Sequence, residues 1–426
     1  MKTKKIVVNS ILTLGTLSLS FGLTFLFLGN EQSIEPSLTI SNKNAFSKPL
    51  SDLSTDQNRR FILGKNLFHG TSNDSRSLES RGIGPLYNAL TCGECHGGGG
   101  ISNPDSSPSL SVKLFNQNSP NKMDPNYGTQ IQTSSTTNYF DEAKVIQLKN
   151  GKFKLDELHF GEIKKDTITY SRIAQKVIGQ GLVEAIPDQF FYDKADPNDE
   201  NRDGISGKIA FSKDSVTGQE TIARFGAKAT EPNVRSQTLK AAFEDIGLSN
   251  SQLGIMPCTE PLNCTLEPEM TNEQEDFLVF YTRSIAPPKS RKLNKQTKTG
   301  KQVFNSIGCS SCHTGSIKIR RTDVVKNDNV YIHPMSDFLL HSMGDNLADD
   351  ASIEGRDADE FRTAPLWGIG LVQTVNGSLN LLHDGRAKTI NQAILFHGGE
   401  AKISRNRYAK LSPQDKKSIV AYLNTL

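Results

Sequence analysis

The chain has 426 residues, with 49 Lys+Arg against 46 Asp+Glu, eight His, six Cys and one Trp. Lys2, Lys4 and Lys5 account for the whole +3 formal charge, so the rest is neutral, which excludes a nucleic-acid binder resting on many phosphate contacts. A mean hydropathy of −0.44 with one long apolar run excludes a multi-span membrane protein, and the length predicts two or three domains.

The apolar run extends from Ile6 to Gly29 behind the basic start. It reads as an export signal over residues 1–30, either cleaved or kept as an anchor helix, so the bulk of the chain is expected in the periplasm. Membrane contact is expected only if that segment is uncleaved. Residues 31–50, rich in Ser, Asn and Pro, read as a linker. Ser54-Thr55-Asp56-Gln57 is a capping box and predicts a helix carrying Phe61, Leu63, Leu67 and Phe68. Gly97 to Gly100 cannot continue a helix cheaply, and residues 101–140 read as an irregular segment rich in Ser, Asn, Pro and Thr. Lys152 to Leu155 alternates like a strand, while Ser171 to Val183 is expected to be helical. A second capping box, Thr271-Asn272-Glu273-Gln274, precedes Phe277, Leu278 and Tyr281. The basic, Pro-bounded stretch from Pro287 to Thr297 marks a domain boundary, after which Val303, Phe304 and Ile307 predict a short helix. Ser412 and Pro413 open a last helix with Ile419, Leu423 and Leu426 on one face.

The cysteines fall into three close pairs, Cys92/Cys95, Cys258/Cys264 and Cys309/Cys312. The first and third lie in Cys92-Gly93-Glu94-Cys95-His96 and Cys309-Ser310-Ser311-Cys312-His313, both Cys-x-x-Cys-His, the attachment pattern of a c-type haem. Two thiols three residues apart reach the two vinyl groups of one porphyrin, and the adjacent imidazole is held beneath the iron. Shared zinc ligation or a pair of redox dithiols would not require the trailing histidines. With eight His in 426 residues, both arising by chance is on the order of 1 in 2500. Two covalently bound c-type haems are therefore expected, and Cys258/Cys264 reads as a small disulfide of an oxidising compartment. The expected fold is mainly α, two cytochrome c-like haem domains with loop-rich insertions and minor β: residues 51–290 with an insertion, and residues 291–426. No internal repeat is visible beyond the two motifs.

Further segments carry a family resemblance. Arg362-Thr363-Ala364-Pro365-Leu366-Trp367-Gly368, Leu382-His383-Asp384-Gly385-Arg386, Ala393-Ile394-Leu395-Phe396-His397-Gly398-Gly399, Gly181-Leu182-Val183-Glu184-Ala185-Ile186-Pro187 and Leu339-Leu340-His341-Ser342-Met343-Gly344 resemble a family of di-haem peroxidases related to bacterial di-haem cytochrome c peroxidases. The resemblance covers about residues 51–426. It implies that the distal ligand of the C-terminal haem lies fourteen residues after a His-Asp-Gly motif, which here is His397, making His313 and His397 a bis-His pair. The alternative is that His397 merely caps its helix. The resemblance also places a removable distal His after the first haem. No His occurs between His96 and His159, so His96 is expected to be the only protein ligand of an open N-terminal haem, with His69 in reserve. A Gln and a Glu near that face are implied to move protons, and Gln130 and Glu142 are the local candidates.

Trp367 is expected either between the haems or in the core, and His341 and Met343 as packing residues. Asp199, Asn201 and Asp203 have the oxygen spacing of a calcium loop, but its twelfth position is Ala210, so a plain Asp/Asn turn competes with Ca²⁺. The expected function is peroxide reduction with electrons from a small soluble cytochrome relayed through the bis-His haem. Oxidation of an organic or protein substrate and simple electron carriage are its rivals.

Overall fold

The computed structural model describes residues 32–33, 42–51, 53–70, 85–101, 110–136, 140–148, 152–254, 268–327 and 329–426. The export segment and the Cys258/Cys264 pair lie outside these residues. Residues 32–426 form one compact unit, and no helix among the described residues is long and apolar enough to cross a membrane.

Eleven helices stand among the described residues: α1 Thr55–His69, α2 Cys92–Cys95, α3 Gln180–Glu184, α4 Asp188–Lys194, α5 Val234–Ile246, α6 Asn272–Ser284, α7 Lys295–Ser306, α8 Val372–Asn376, α9 Ile390–Phe396, α10 Lys402–Ala409 and α11 Pro413–Leu423. Both capping boxes form: Ser54 and Thr271 accept from the backbone of Gln57 and Gln274, whose side chains cap in return. Six small sheets accompany them. With 33% of the described residues helical and 17% in strands, the mainly α expectation is wrong and the fold is a mixed one.

The sheets arise where local alternation finds a distant partner. Leu110–Asn116, inside the stretch read as irregular, buries Leu110, Val112 and Leu114 on one face and pairs antiparallel with Thr167–Ile173. That pairing also overturns the helical reading of Ser171 to Val183, since the chain stays extended through Ile173 and turns helical only at Gln180. Phe153–Asp156 is a strand as expected, paired with Lys144–Gln147. The second feeder helix starts earlier than predicted, at Lys295, because the Asn294 side chain caps it.

The helices also reveal a repeat that the sequence reading missed. In α1, Gly64 lets α6 approach so closely that a Cβ there would stand 2.0 Å from the Phe277 carbonyl oxygen and 2.6 Å from Tyr281 Cβ. In α7, a Cβ on Gly300 would stand 1.9 Å from the Ser418 carbonyl oxygen and 2.9 Å from Tyr422 Cβ of α11. Four residues after each glycine, Phe68 and Phe304 pack on the tyrosine of the crossing helix, at ring-centroid distances of 5.2 and 5.6 Å. The same two phenylalanines reach the motif histidines, Phe68 to His96 at 6.0 Å and Phe304 to His313 at 6.3 Å. The signal was present as Gly64-Lys65-Asn66-Leu67-Phe68 and Gly300-Lys301-Gln302-Val303-Phe304. A Gly300→Val protein is expected to lose about 3 kcal/mol of stability, because backbone rather than a movable side chain blocks the new atoms. Chemical unfolding checks this, and an unshifted midpoint would mean the crossing is looser than described.

Candidate haem sites

The first motif forms the short helix α2, and His96 follows as its C-cap with its N–H on the Cys92 carbonyl at 2.8 Å. The second is a 3-10 turn, Cys309–Ser311, entered through Gly308, and His313 N–H meets the Cys309 carbonyl at 3.0 Å. None of the four motif cysteines is in a disulfide, and all are partly exposed. Burial pushes Cys92 and Cys95 up to about 12, the Asp245 carboxylate adding to it, and burial does the same to Cys309.

Four histidines set Nδ1 against a backbone carbonyl: the exposed His159, 2.7 Å from that of Asp141 and beside its carboxylate, and three at the candidate sites. His313 Nδ1 lies 2.9 Å from the Met335 carbonyl oxygen, His397 Nδ1 lies 2.7 Å from that of Ala393, and His96 Nδ1 lies 3.3 Å from that of Gly100. A ring that donates from Nδ1 to a backbone carbonyl is fixed in the tautomer whose Nε2 lone pair is available to a metal. Each ring is also only partly covered by protein. Desolvation, with a smaller contribution from the neighbouring His397 imidazole, depresses the His313 pKa to about 4 against the opposing bond to Met335. Desolvation lowers His96 and His397 as well, so all three favour the neutral, ligating form. His397 is the C-cap residue of α9, whose N-cap Thr389 accepts from Gln392 N–H, while the Gln392 side chain caps Lys388 instead of Thr389. Free thiol pairs, adjoining neutral imidazoles and packed phenylalanines fit a covalent haem at each motif.

Elsewhere the structure places the candidates as follows. His69 lies against the first motif, since a Cβ on Gly93 would be 2.5 Å from its Nδ1, but its Nε2 is engaged by the Tyr281 hydroxyl at 3.3 Å. Glu142 is buried, and desolvation raises its pKa to about 8. Its Oε2 accepts from Gln132 N–H at 2.6 Å. Gln132 Oε1 accepts from Asn88 Nδ2 at 2.9 Å, four residues ahead of Cys92. Gln130 is buried too and donates to the Asp245 carboxylate at 2.8 Å, while its Oε1 finds no partner among the described residues. The two candidates thus sit in one polar layer behind the first motif.

His341 is buried and bridges two carboxylates, donating from Nδ1 to Glu400 at 2.6 Å and from Nε2 to Asp337 at 3.0 Å. Burial opposes its charge, but hydrogen bonds with Asp337, Cys312 and Glu400 outweigh it and push the pKa up to about 12. Glu400 is held at about 2: burial raises it, but the bonds from His341 and Ser206 win. Cys312, Asp337 and His341 lie within 4.8 Å of one another, yet both ring nitrogens of His341 are already spent on carboxylates, so the group is an ion-pair strut rather than a ligand set.

The Asp199–Asp203 loop is exposed and occupies its oxygens with its own backbone: Asp199 accepts from Gly204, Asn201 from Asp203, and Asp203 from Ile205. Trp367 is buried with its Nε1 unpartnered among the described residues. Lys176, which the sequence reading did not single out, places its Nζ 2.8 Å from the Trp367 carbonyl oxygen.

A family model described as "Di-haem oxidoreductase, putative peroxidase" matches residues 152–426. No curated protein matches the chain. Among solved structures, hydrazine synthase of Kuenenia stuttgartiensis, pressurised with xenon, is similar at 13% identity with a TM-score of 0.40, covering 100% of both chains. A MauG-like protein associated with microbial copper homeostasis is similar at 14% identity with a TM-score of 0.38, covering 89% of this chain and 92% of its own.

Proposed function

The chain belongs to the di-haem oxidoreductase family, and from that premise we propose that it is an exported enzyme reducing hydrogen peroxide with electrons from a small soluble cytochrome. One haem is assigned to Cys92, Cys95 and His96, the other to Cys309, Cys312 and His313. The observation that carries the assignment is that His96 and His313, each directly behind a pair of thiols, set Nδ1 on a backbone carbonyl as His397 does. When bound, the two haems supply one iron that passes electrons and one that binds and reduces peroxide.

The chain's own groups do the rest. The carbonyls of Met335 and Ala393 orient His313 and His397 and raise their basicity as a bis-His pair. The Gly100 carbonyl does the same for His96, which is assigned as the sole protein ligand at the first motif because His69 is held by Tyr281. Glu142 keeps its proton at neutral pH, as a general acid must, and Gln132 and Asn88 connect it to the backbone entering Cys92. Gln130, anchored on Asp245, offers its free Oε1 as an acceptor in the same layer.

An alkaline pyridine haemochrome assay is expected to give two c-type haems per chain, and one after Cys309→Ser with Cys312→Ser. A count below two in the native chain overturns the cofactor assignment. Stopped-flow mixing of peroxide with the half-reduced protein tests the reaction itself, and peroxide left unconsumed would overturn that part alone.

A further inference from the structure

Among the described residues, no carboxylate pairs with the buried cation Lys176. Its Nζ donates only to main-chain oxygens, those of Pro365 at 3.2 Å and Trp367 at 2.8 Å. No carboxylate contributes to its electrostatics, and desolvation alone lowers its pKa to about 7. A lysine so placed loses hydration without the ionic partner that ordinarily offsets the loss.

The residue whose carbonyl holds Lys176 carries a second unmet demand on its side chain. Trp367 Nε1–H is buried and has no acceptor among the described residues, although an indole N–H withdrawn from water ordinarily finds one. Segment 176–179 meets Trp367 twice, at its carbonyl through Lys176 and at its ring through Gly179, where a Cβ would fall 2.3 Å from Cζ2. An ammonium on the Trp367 carbonyl and the indole N–H of the same residue, neither with an acceptor side chain among the described residues, ask for an anion that accepts hydrogen bonds, such as a carboxylate.

The location decides whose carboxylate it is. Val177 N–H bonds the Gly99 carbonyl at 3.1 Å, and the Gln175 carbonyl lies against the His96 ring, so one flank of Lys176 is the loop behind the first motif. Leu366 N–H bonds the Pro334 carbonyl at 2.8 Å, next to Met335, whose carbonyl orients His313, so the Trp367 flank belongs to the second motif. We propose that Lys176 and the indole N–H of Trp367 jointly seat a propionate of one of the two haems, at the junction between the two motifs. This inference rests on the two-haem assignment above.

The test uses the holoprotein and counts haems first, so that missing haem indicts the cofactor assignment and not the seat. With two haems present, Lys176→Gln is expected to lower the midpoint potential of one of them, because a cation near a haem favours its reduced form. The expected change at fixed potential is about tenfold in the ratio of oxidised to reduced haem, equivalent to about 59 mV for a one-electron couple. Lys176→Arg is expected to restore most of it. Trp367→Phe, which removes the N–H but keeps an aromatic ring, is expected to shift a propionate-bending band in the resonance Raman spectrum. Unchanged potentials in Lys176→Gln would overturn the proposal. Should that variant fail to fold, an unmoved propionate band in Trp367→Phe would overturn it equally, leaving an ordered water as the partner of the indole.

Discussion

A His397→Ala protein is expected to exchange one low-spin ferric signal for a high-spin one in low-temperature EPR, with the haem count unchanged. The C-cap position of α9 delivers the ring, and the Ala393 carbonyl fixes its Nδ1. His313, the proposed opposite ligand, senses His397 strongly enough for its own pKa to be lowered by it. Removing one imidazole leaves the iron with His313 alone, and a five-coordinate ferric haem is high-spin. The structural cost should stay small, roughly 1 kcal/mol for one lost hydrogen bond to a carbonyl. A persistent low-spin signal would remove His397 from the ligand set and return the search to Met343, whose carbonyl stands beside Gly398.

Glu142→Gln is expected to cut peroxide turnover by roughly 10²–10⁴-fold while leaving both haem spectra unchanged. Desolvation raises the folded-state pKa of Glu142 from 4.5 to about 8, so the carboxyl carries its proton through neutral pH and loses it as pH rises through about 8. Wild-type turnover should fall across that limb, and the variant's residual turnover should be flat there. Stability gives an independent reading with the same sign. A raised carboxyl pKa contributes stability that is fully present below the unfolded value and lost as pH rises through the folded one. The uncharged Gln variant should therefore gain in melting temperature relative to wild type above pH 8. It can still accept from Gln132 N–H, so a loss of fold is not the expected explanation. Unchanged turnover would end the catalytic role of Glu142 even if the melting shift appeared.

The parts of the molecule legible in the sequence are those decided within a few residues. The boxes at Ser54 and Thr271 are local hydrogen-bond exchanges, and each started its helix where the pattern placed it. Leu110–Asn116 shows why alternation alone was insufficient: its partner strand lies at Thr167–Ile173, and the flanking Ser and Asn residues dilute the signal. The mainly α expectation failed for the same reason, because a Cys-x-x-Cys-His motif announces a haem but says nothing of the small sheets formed between distant segments. Glu142 could be named as a candidate, but not its burial, since it precedes Ala143, which packs in a small apolar cluster with Val112, Tyr127 and Ile131 drawn from distant segments. Lys176 and Trp367 are 191 residues apart, and a lysine in sequence looks like any other solvated charge.

Phe46, in the segment that reads as a linker, is fully buried. A Cβ on Gly99 would fall 2.2 Å from its carbonyl oxygen, and one on Gly368 would meet its ring at 2.8 Å. Gly99 has φ +86°, a conformation that itself favours glycine, so the close approach is built into the backbone. One aromatic residue is thereby wedged between the loop leaving His96 and the turn leaving Trp367. This one side chain therefore holds the loop leaving His96 and the turn leaving Trp367 at a fixed spacing. Trimming Phe46 to a smaller side chain would leave a cavity at that contact and let the two segments shift against each other, without touching His96, His313 or His397.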